Sequence, residues 1–187
     1  MSEVVVTEFQ AMIAGLADDV ARVVLDIWER LQAHLTDIVT ALDAIVAAIN
    51  RANAVATGLA DVSVSAQIEV LSGTPTLPSA VAPVDDTERL TKAVRTIADS
   101  DSDTAMQLSR LARSEPLDTA QRVTLDAMAA QDAVSGWVRQ LNAEACELCR
   151  WWARDGRVWP KDHKFPRHPG CNCQPRIVLT HKESQNA

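Results

Sequence analysis

The sequence predicts a mainly α-helical protein with a small β module at its C-terminal end, which is an α+β fold. Three observations support this prediction. Apolar residues recur at helical spacing through the first third of the chain, a second helical region follows a proline-rich stretch, and all four cysteines lie within 28 residues between short strand-like segments. The chain has 187 residues, a length that suits one domain or one domain with an extended arm.

The first third is predicted to be one very long helix, which dominates an N-terminal helical arm over residues 1–71. Its apolar residues have a mean spacing of 3.64, so they stay on one face of a nearly straight helix. Gly58 is the candidate C-terminal end of this helix. An apolar stripe must be covered, either by a partner or by the chain's own second helical region. The stripe comprises Phe9, Ile13, Leu16, Val20, Val23, Ile27, Leu31, Leu35, Ile38, Leu42, Ile45 and Ile49.

Residues 72–86 (SGTPTLPSAVAPVDD) contain three prolines and little periodicity, which predicts a linker. A helical region over residues 87–135 follows it. Within this region we expect a break at SDSD (100–103), because these side chains compete with helical hydrogen bonds. We expect a new helix to start after Pro116 and to end at Gly136.

Residues 136–180 are predicted to form the β module. The segments GWVRQL, RVWP and PRIVL have the pattern of short strands, and RWWARDG between the first two is predicted to be a helical turn. Four of the five tryptophans lie in this region, and the chain has no tyrosine. Residues 181–187 are predicted to be a disordered tail.

The cysteines form a CxxC and a CxC pair, separated by 21 residues. A CxxC pair brings two thiolates to one ion, and a second pair completes a closed tetrahedral site. We therefore predict a structural zinc ion bound by Cys146, Cys149, Cys171 and Cys173. His168 stands three residues before Cys171, so His168 and Cys171 can form an HxxC pair in which His168 replaces Cys173. Both ligand sets remain open.

Disulfides or free thiols are the alternative to zinc. The N-terminal residues MSEVVVTEFQ are acidic and lack the apolar core of a signal peptide, so we expect a reducing compartment, which disfavours disulfides. The sequence has no window of about 18 uninterrupted apolar residues, so we expect no membrane association.

Charge is distributed unevenly along the chain. From Cys146 onward there are eight Lys or Arg and four acidic residues, a net charge of +4. The residues before Cys146 carry a net charge of −11, so the whole chain has a net charge of −7. A basic module can contact phosphate groups or an acidic protein surface, or it can display its charges to solvent.

The run SGWVRQLNAEACELCRWWARDGRVWPKDHKFPRHPGCNCQPRIV resembles the C-terminal signature of phage Mu F-type head-morphogenesis proteins, particularly the MuF-like minor capsid proteins of tailed actinobacteriophages. The similar elements are the tryptophan segment before CxxC, the DGRVW turn and the HPGCNC motif, and the resemblance is confined to about residues 136–180. It implies a virion component that docks near the portal vertex, contacts portal, capsid or scaffold proteins, and assists head assembly, genome packaging or ejection. It implies no catalytic activity and a location in the phage head after synthesis in the host cytoplasm.

Two other functions follow from the residues themselves. The basic module, with Trp151, Trp152 and Trp159, could make the protein a nucleic-acid-binding regulator, and a capsid protein could use the same surface to contact packaged DNA. A metal-dependent nuclease would need His163 with Asp162 or Asp155 to activate water. Four protein ligands close the coordination sphere, whereas catalytic zinc keeps an open position, so we do not expect an enzyme.

Overall fold

The computed structural model describes residues 1–100 and 103–180 of the chain. These residues are mainly helical, with a small three-stranded antiparallel sheet in the C-terminal part, as the sequence predicts. The elements are α1 (Ser2–Gln32), α2 (Ile38–Ser72), α3 (Thr87–Ala98), α4 (Thr104–Ala129), β1 (Val134–Gln140), α5 (Glu147–Ala153), a 3₁₀ turn (Arg154–Gly156), β2 (Trp159–Pro160) and β3 (Gln174–Leu179). The predicted tail, residues 181–187, lies outside the described residues.

The prediction of one very long N-terminal helix is wrong. The chain reverses between α1 and α2, where His34 adopts a left-handed φ of 57°. The side chain of Asp37 then caps α2 by accepting a hydrogen bond from the backbone N–H of Thr40 at 3.0 Å. A continuous 3.6-residue stripe does not reveal this reversal, because two antiparallel helices that face each other each present a stripe of the same period.

The second helix also ends later than predicted. It continues past Gly58 and through residues 62–71, and it stops at Gly73, which has a left-handed φ of 70°. Gly58 lies inside the helix with open space around the position of a Cβ atom. A C-terminal glycine is recognised by its backbone conformation, and the sequence offered two glycines without distinguishing them.

The core of the bundle runs between α1, α2 and α4, with α3 at one end. Near the α1–α2 turn, Val24 packs with Ile45 and Leu108, and farther along the bundle Phe9 packs with Ala60. Much of the predicted stripe is therefore covered by the chain's own helices. Small residues let these helices approach closely. The buried alanines of the bundle include Ala17, Ala21, Ala48, Ala52, Ala56, Ala60, Ala112 and Ala120.

By length and composition α2 could cross a membrane, which the sequence analysis did not anticipate. The core helix of a globular bundle passes the same test, and α2 contacts α1, α3, α4 and β3. It also buries the polar side chains of Asn53, Asp61 and Gln67 among its apolar residues. Its position in the structure is that of a core helix.

Residues 73–86 contain no helix or strand, but they are fastened to the bundle. The buried carboxylate of Asp61 accepts hydrogen bonds from the backbone N–H groups of Ser79 at 2.8 Å and Val81 at 3.1 Å. Near the end of the segment, the side chain of Asn50 contacts Asp85 at 2.7 Å. The segment therefore runs as a strap along α2.

Pro116 does not start a new helix, because α4 runs through it without a break. Pro116 is buried, and its neighbours Leu117 and Ala120 pack against α1 and α2. Proline removes one helical hydrogen bond, and we attribute the tolerance of Pro116 to packing on both sides of it. Of the predicted break at residues 100–103, residues 101 and 102 lie outside the described part of the chain. On either side of it, α3 ends at Ala98 and Asp103 caps α4.

Gly136 does not end a helix either, but lies within the central strand of the sheet, whose order is β2–β1–β3. A Cβ atom at this position would lie 2.1 Å from the carbonyl oxygen of Trp159 on β2. Glycine is therefore required by the close approach of the two strands. All three strands were predicted from the sequence within a few residues of their observed bounds.

The sheet packs directly against the end of the bundle. Val64 and Ile68 of α2 and Met128 of α4 share one core with Trp137 and Ile177 of the sheet. The backbone N–H of Ile177, on edge strand β3, donates to the buried side chain of Gln67 at 3.0 Å. The module is thus built onto the bundle, and its cysteine loops face α1 and α4.

Candidate metal centre

The first two cysteines are positioned by the start of α5. Cys146 is the N-cap residue of this helix, and Cys149 lies in its first turn. Their sulfurs lie within 4.8 Å of each other, and the nearby backbone N–H of Cys149 lowers the pKa of the Cys146 thiol. Both sulfurs therefore lie on the same side of the turn, as a metal-binding CxxC requires.

The HPGC segment forms a tight turn that brings His168 and Cys171 together. The backbone N–H of Cys171 donates to the carbonyl of His168 at 3.1 Å, and Gly170 has a φ of 76°. Proline in the second position and glycine in the third form the residue pattern of a type II turn. The turn therefore sets the HxxC spacing in three dimensions.

The five candidate ligands form two overlapping groups that share Cys149. In the first group, Nε2 of His168 lies 3.4 Å from Sγ of Cys146 and 3.2 Å from Sγ of Cys149. In the second, Sγ of Cys149 lies 3.5 Å from Sγ of Cys171, with Cys173 beside them. Tetrahedral zinc holds its sulfur ligands about 3.8 Å apart, given Zn–S bonds of about 2.3 Å. Within each group the three donor atoms lie within 4.8 Å of one another, which is compatible with a metal site, and thiolate and imidazole are donors that suit zinc.

All four cysteines are free thiols. The 3.5 Å between the sulfurs of Cys149 and Cys171 is far longer than a disulfide bond of about 2.05 Å. The thiols of Cys149 and Cys171 are therefore not joined by a disulfide.

Hydrogen bonds place His168 and Cys173 in different settings. Nδ1 of His168 lies 3.1 Å from the carbonyl oxygen of Pro169, and a hydrogen on Nδ1 leaves the Nε2 lone pair for a metal ion. The thiol of Cys173 is fully buried and donates to Oδ1 of Asn142 at 3.2 Å. His168 thus faces the CxxC sulfurs, whereas Cys173 already has a partner outside the cluster.

In the chain without metal the cysteine thiols have different pKa values, because their surroundings differ. Burial raises the pKa of Cys149 to about 12. The side-chain contact with Cys173 lowers the pKa of Cys171 to about 5 and raises the pKa of Cys173. For His168, burial opposes a positive charge, but its contacts with the Pro169 carbonyl and with Cys171 and Cys146 raise the pKa. Cys171 is therefore the thiol that ionises most readily.

Two glutamines from the helices hold the second cysteine loop. Nε2 of Gln121, on α4, donates to the carbonyls of Cys171 at 2.7 Å and Cys173 at 2.9 Å, and its side chain is 1% exposed. Gln10, on α1, donates to the carbonyl of Asn172 at 3.1 Å, and Nδ2 of Asn172 returns a bond to the carbonyl of Gln10 at 2.8 Å. The bundle therefore fixes the backbone that carries Cys171 and Cys173.

A buried arginine supports the loop that carries His168. The Arg139 residue is only 5% exposed, and its guanidinium lies 3.8 Å from the Phe165 ring centre and donates to the carbonyl of Pro166. Within residues 1–100 and 103–180, no carboxylate pairs with it. The buried arginine therefore holds in place the loop that leads to His168.

All the predicted ligands, including His168 as the alternative to Cys173, fall into these two groups, which share Cys149. Among the described residues, His163, Asp155 and Asp162, which a nuclease would need, belong to neither group. His163 instead stacks on Trp159, with ring centres 4.1 Å apart. His34 is exposed in the α1–α2 turn, away from both groups.

No sequence pattern marked Gln10, Gln121 and Arg139 as supports of this site, or Gln67 as a partner of strand β3. The available signal was weak: each glutamine stands next to buried apolar positions of its helix, where a polar side chain needs a partner. Their partners lie 50 to 162 residues away in the sequence, beyond the range of local patterns.

Comparison with known proteins gives one result. No curated protein and no solved structure matches the chain. A family model described as VG15 protein matches residues 1–187, the whole sequence, and this is a phage-associated family of viral gene products. The chain therefore belongs to the VG15 protein family.

Proposed function

We propose that this protein is a structural component of a tailed-phage head, a minor capsid or head-morphogenesis protein that docks near the portal vertex and assists assembly, packaging or ejection. The observation that carries the proposal is the cysteine and histidine cluster formed by CxxC and HPGCNC, in the segment that resembles MuF-like proteins. Membership of a phage-associated family supports a viral role.

The test is the location of the protein during infection. Purified virions and purified procapsids are analysed by quantitative mass spectrometry, and the gene is deleted in parallel. We expect a few copies of the protein per particle in at least one of the two fractions, and defective heads without it. Absence from both fractions would overturn the proposal.

We propose further that the cluster binds a structural zinc ion through Cys146, Cys149, Cys171 and His168, with Cys173 outside the coordination sphere. His168 contacts both CxxC sulfurs, while the Cys173 thiol donates to Asn142. Such an ion would fasten the first loop to the second and stabilise a module too small to fold on its apolar core alone. Four protein ligands leave no position for substrate, which agrees with a role without catalysis.

The ligand set is tested by measuring zinc per chain after dialysis against a chelator. We expect His168→Ala to lose zinc and Cys173→Ser to retain about one ion, since serine can still donate to Asn142. The reverse pattern would identify the all-cysteine site. No zinc in the unmodified protein would contradict the metal proposal as a whole.

A nucleic-acid-binding regulator is the second candidate. It is favoured by exposed arginines on the module that pair with no carboxylate in the described part of the chain. A regulator would change phage transcript levels when deleted and would not be enriched in particles, so the same deletion and fractionation separate the two functions.

A further inference from the structure

The stretch from α5 to the loop after β2 displays a run of basic side chains. Five cations lie between residues 150 and 164, four of them exposed and Lys161 half-buried. None of the five forms an ion pair within residues 1–100 and 103–180. On the helices Arg51 is likewise unpaired in this part of the chain, while Arg22, Arg89, Arg113 and Arg122 each pair with a carboxylate. The five cations, defined here as the basic turn, are Arg150, Arg154, Arg157, Lys161 and Lys164.

Two of these arginines are held by tryptophan rings. The guanidinium of Arg154 lies 4.2 Å from the ring centre of Trp151, and that of Arg157 lies 4.2 Å from the ring centre of Trp159. A backbone hydrogen bond from Arg157 to Arg154, at 3.1 Å, places both pairs on one tight turn. Stacking fixes the plane of a guanidinium but leaves its N–H groups free for phosphate oxygens.

The backbone of the turn is in an unusual conformation. Arg154 and Asp155 have φ values of 49° and 53°, and Gly156 has a φ of 83°. Residues other than glycine adopt this left-handed region at a cost, and such strain is found disproportionately at binding sites. Here the conformation carries the chain from the Trp151–Arg154 pair to the Arg157–Trp159 pair within three residues.

We propose that the basic turn binds the phosphate backbone of DNA, with Arg154 and Arg157 as the central contacts. An array of unpaired cations complements the regular negative charge of a nucleic acid. Asp155 and Asp162 are the only carboxylates between residues 150 and 164 of the sequence, so this stretch keeps a net charge of +3. The proposal deepens the virion function and rests on it for the source of the DNA, the phage genome.

The test measures binding of the full-length protein to a fluorescein-labelled DNA duplex of about 30 base pairs by fluorescence anisotropy, between about 50 and 200 mM salt. Each phosphate contact contributes about 0.9 to the slope of log K against log salt, so its loss weakens binding about eightfold near 0.1 M. We expect this loss for Arg154→Gln and for Arg157→Gln, and about sixtyfold for the double variant. Both side chains are exposed, so unchanged circular dichroism and metal content are expected.

The control is Arg51→Gln, because Arg51 is exposed on α2 and also forms no ion pair in the described part of the chain. Binding that is absent at low salt, or that Arg51→Gln weakens as much as Arg154→Gln does, would overturn the proposal. The proposal would also be overturned if polyglutamate displaced the labelled DNA as well as unlabelled duplex does at the same concentration of negative charge. That result would indicate an acidic protein partner. If the protein binds DNA but is absent from virions and procapsids, the DNA-binding proposal stands and the head function is refuted. If it is present in particles but does not bind DNA, the head function stands and the DNA-binding proposal is refuted.

Discussion

The helical bundle and the C-terminal module, defined as residues 134–180, bury their side chains in different ways. The bundle core consists mainly of alanine, valine and isoleucine residues distributed along its helices. The module core is concentrated on a few large side chains, including Trp137, Phe165 and Ile177, together with the cysteines. Stability is therefore spread over many small contributions in the bundle, whereas the module depends on a few residues and on whatever joins its two cysteine loops.

The polar contacts of the two regions differ as well. Most ion pairs of the bundle are partly exposed, and such pairs contribute about 0–1 kcal/mol each. Buried polar atoms without a hydrogen-bond partner in residues 1–100 and 103–180 are concentrated in the module, on Trp137, Arg139 and Gln174 among others. Each such atom opposes folding by about 1–3 kcal/mol. The module thus needs an additional source of stability, which we propose to be the metal.

The largest expected effect comes from Cys149→Ser, because Cys149 belongs to both groups of ligands. We expect the variant to lose its metal and its module to unfold at 25 °C, since structural zinc contributes on the order of 10 kcal/mol or more to such modules. The bundle should keep most of its helix. Tryptophan emission should shift to the red, because Trp28 is the sole tryptophan outside the module, while the far-ultraviolet circular dichroism changes little.

The matched control is Cys173→Ser, which should leave the emission spectrum and metal content nearly unchanged. If its emission shifts to the red as far as that of Cys149→Ser, Cys173 must be counted among the zinc ligands. If Cys149→Ser loses most of its helical circular dichroism, the bundle depends on the module for its stability. That result would contradict the view that the two regions are stabilised in different ways.

In the bundle, Ile45→Ala should lower the free energy of unfolding by about 2–5 kcal/mol. Ile45 is completely buried between α1 and α2, and the substitution leaves a cavity. Ile38→Ala is the control on the same helix, because Ile38 is 46% exposed, and its effect should stay below about 1 kcal/mol. Urea unfolding followed by circular dichroism measures both values. Equal effects would mean that the bundle core is not where the structure places it.

The structure of the module was predicted from the sequence more accurately than that of the bundle, for physical reasons. The strands of the module and the proximity of its cysteines and His168 were predicted because CxxC, HPGCNC and PRIVL are local patterns. The α1–α2 reversal at His34 was missed because helical periodicity is the same on both sides of a turn. The cap at Asp37 was the local signal that could have revealed it. The contacts of Gln10, Gln67 and Gln121 could not be predicted, because they exist only after distant elements have packed.

Gln121→Ala should produce an intermediate effect that crosses the boundary between the two regions. The substitution removes the donor for two buried carbonyls, of Cys171 and Cys173, and should cost about 1–3 kcal/mol. Because these carbonyls belong to the second cysteine loop, we also expect faster transfer of the proposed zinc to a chelator, measured by a colorimetric indicator. Gln32→Ala, at the exposed end of α1, is the control and should change neither quantity. If stability falls but zinc transfer does not accelerate, the bundle does not support the metal loop.

The smallest expected effects belong to the ends of the bundle helices and differ in sign. Asp103 caps α4 through a 3.0 Å hydrogen bond from the backbone N–H of Met106, so Asp103→Ala should destabilise by about 1 kcal/mol. Asp99 is the C-cap of α3, where a negative charge opposes the helix dipole, so Asp99→Ala should be neutral or stabilise by about 0.3–1 kcal/mol. Thermal unfolding of the two variants in parallel measures the difference. The stability of the bundle is the sum of many such small contributions, so neither variant should alter tryptophan emission from the module at 25 °C. A red shift in either variant would show that the module responds to changes at the far end of the bundle.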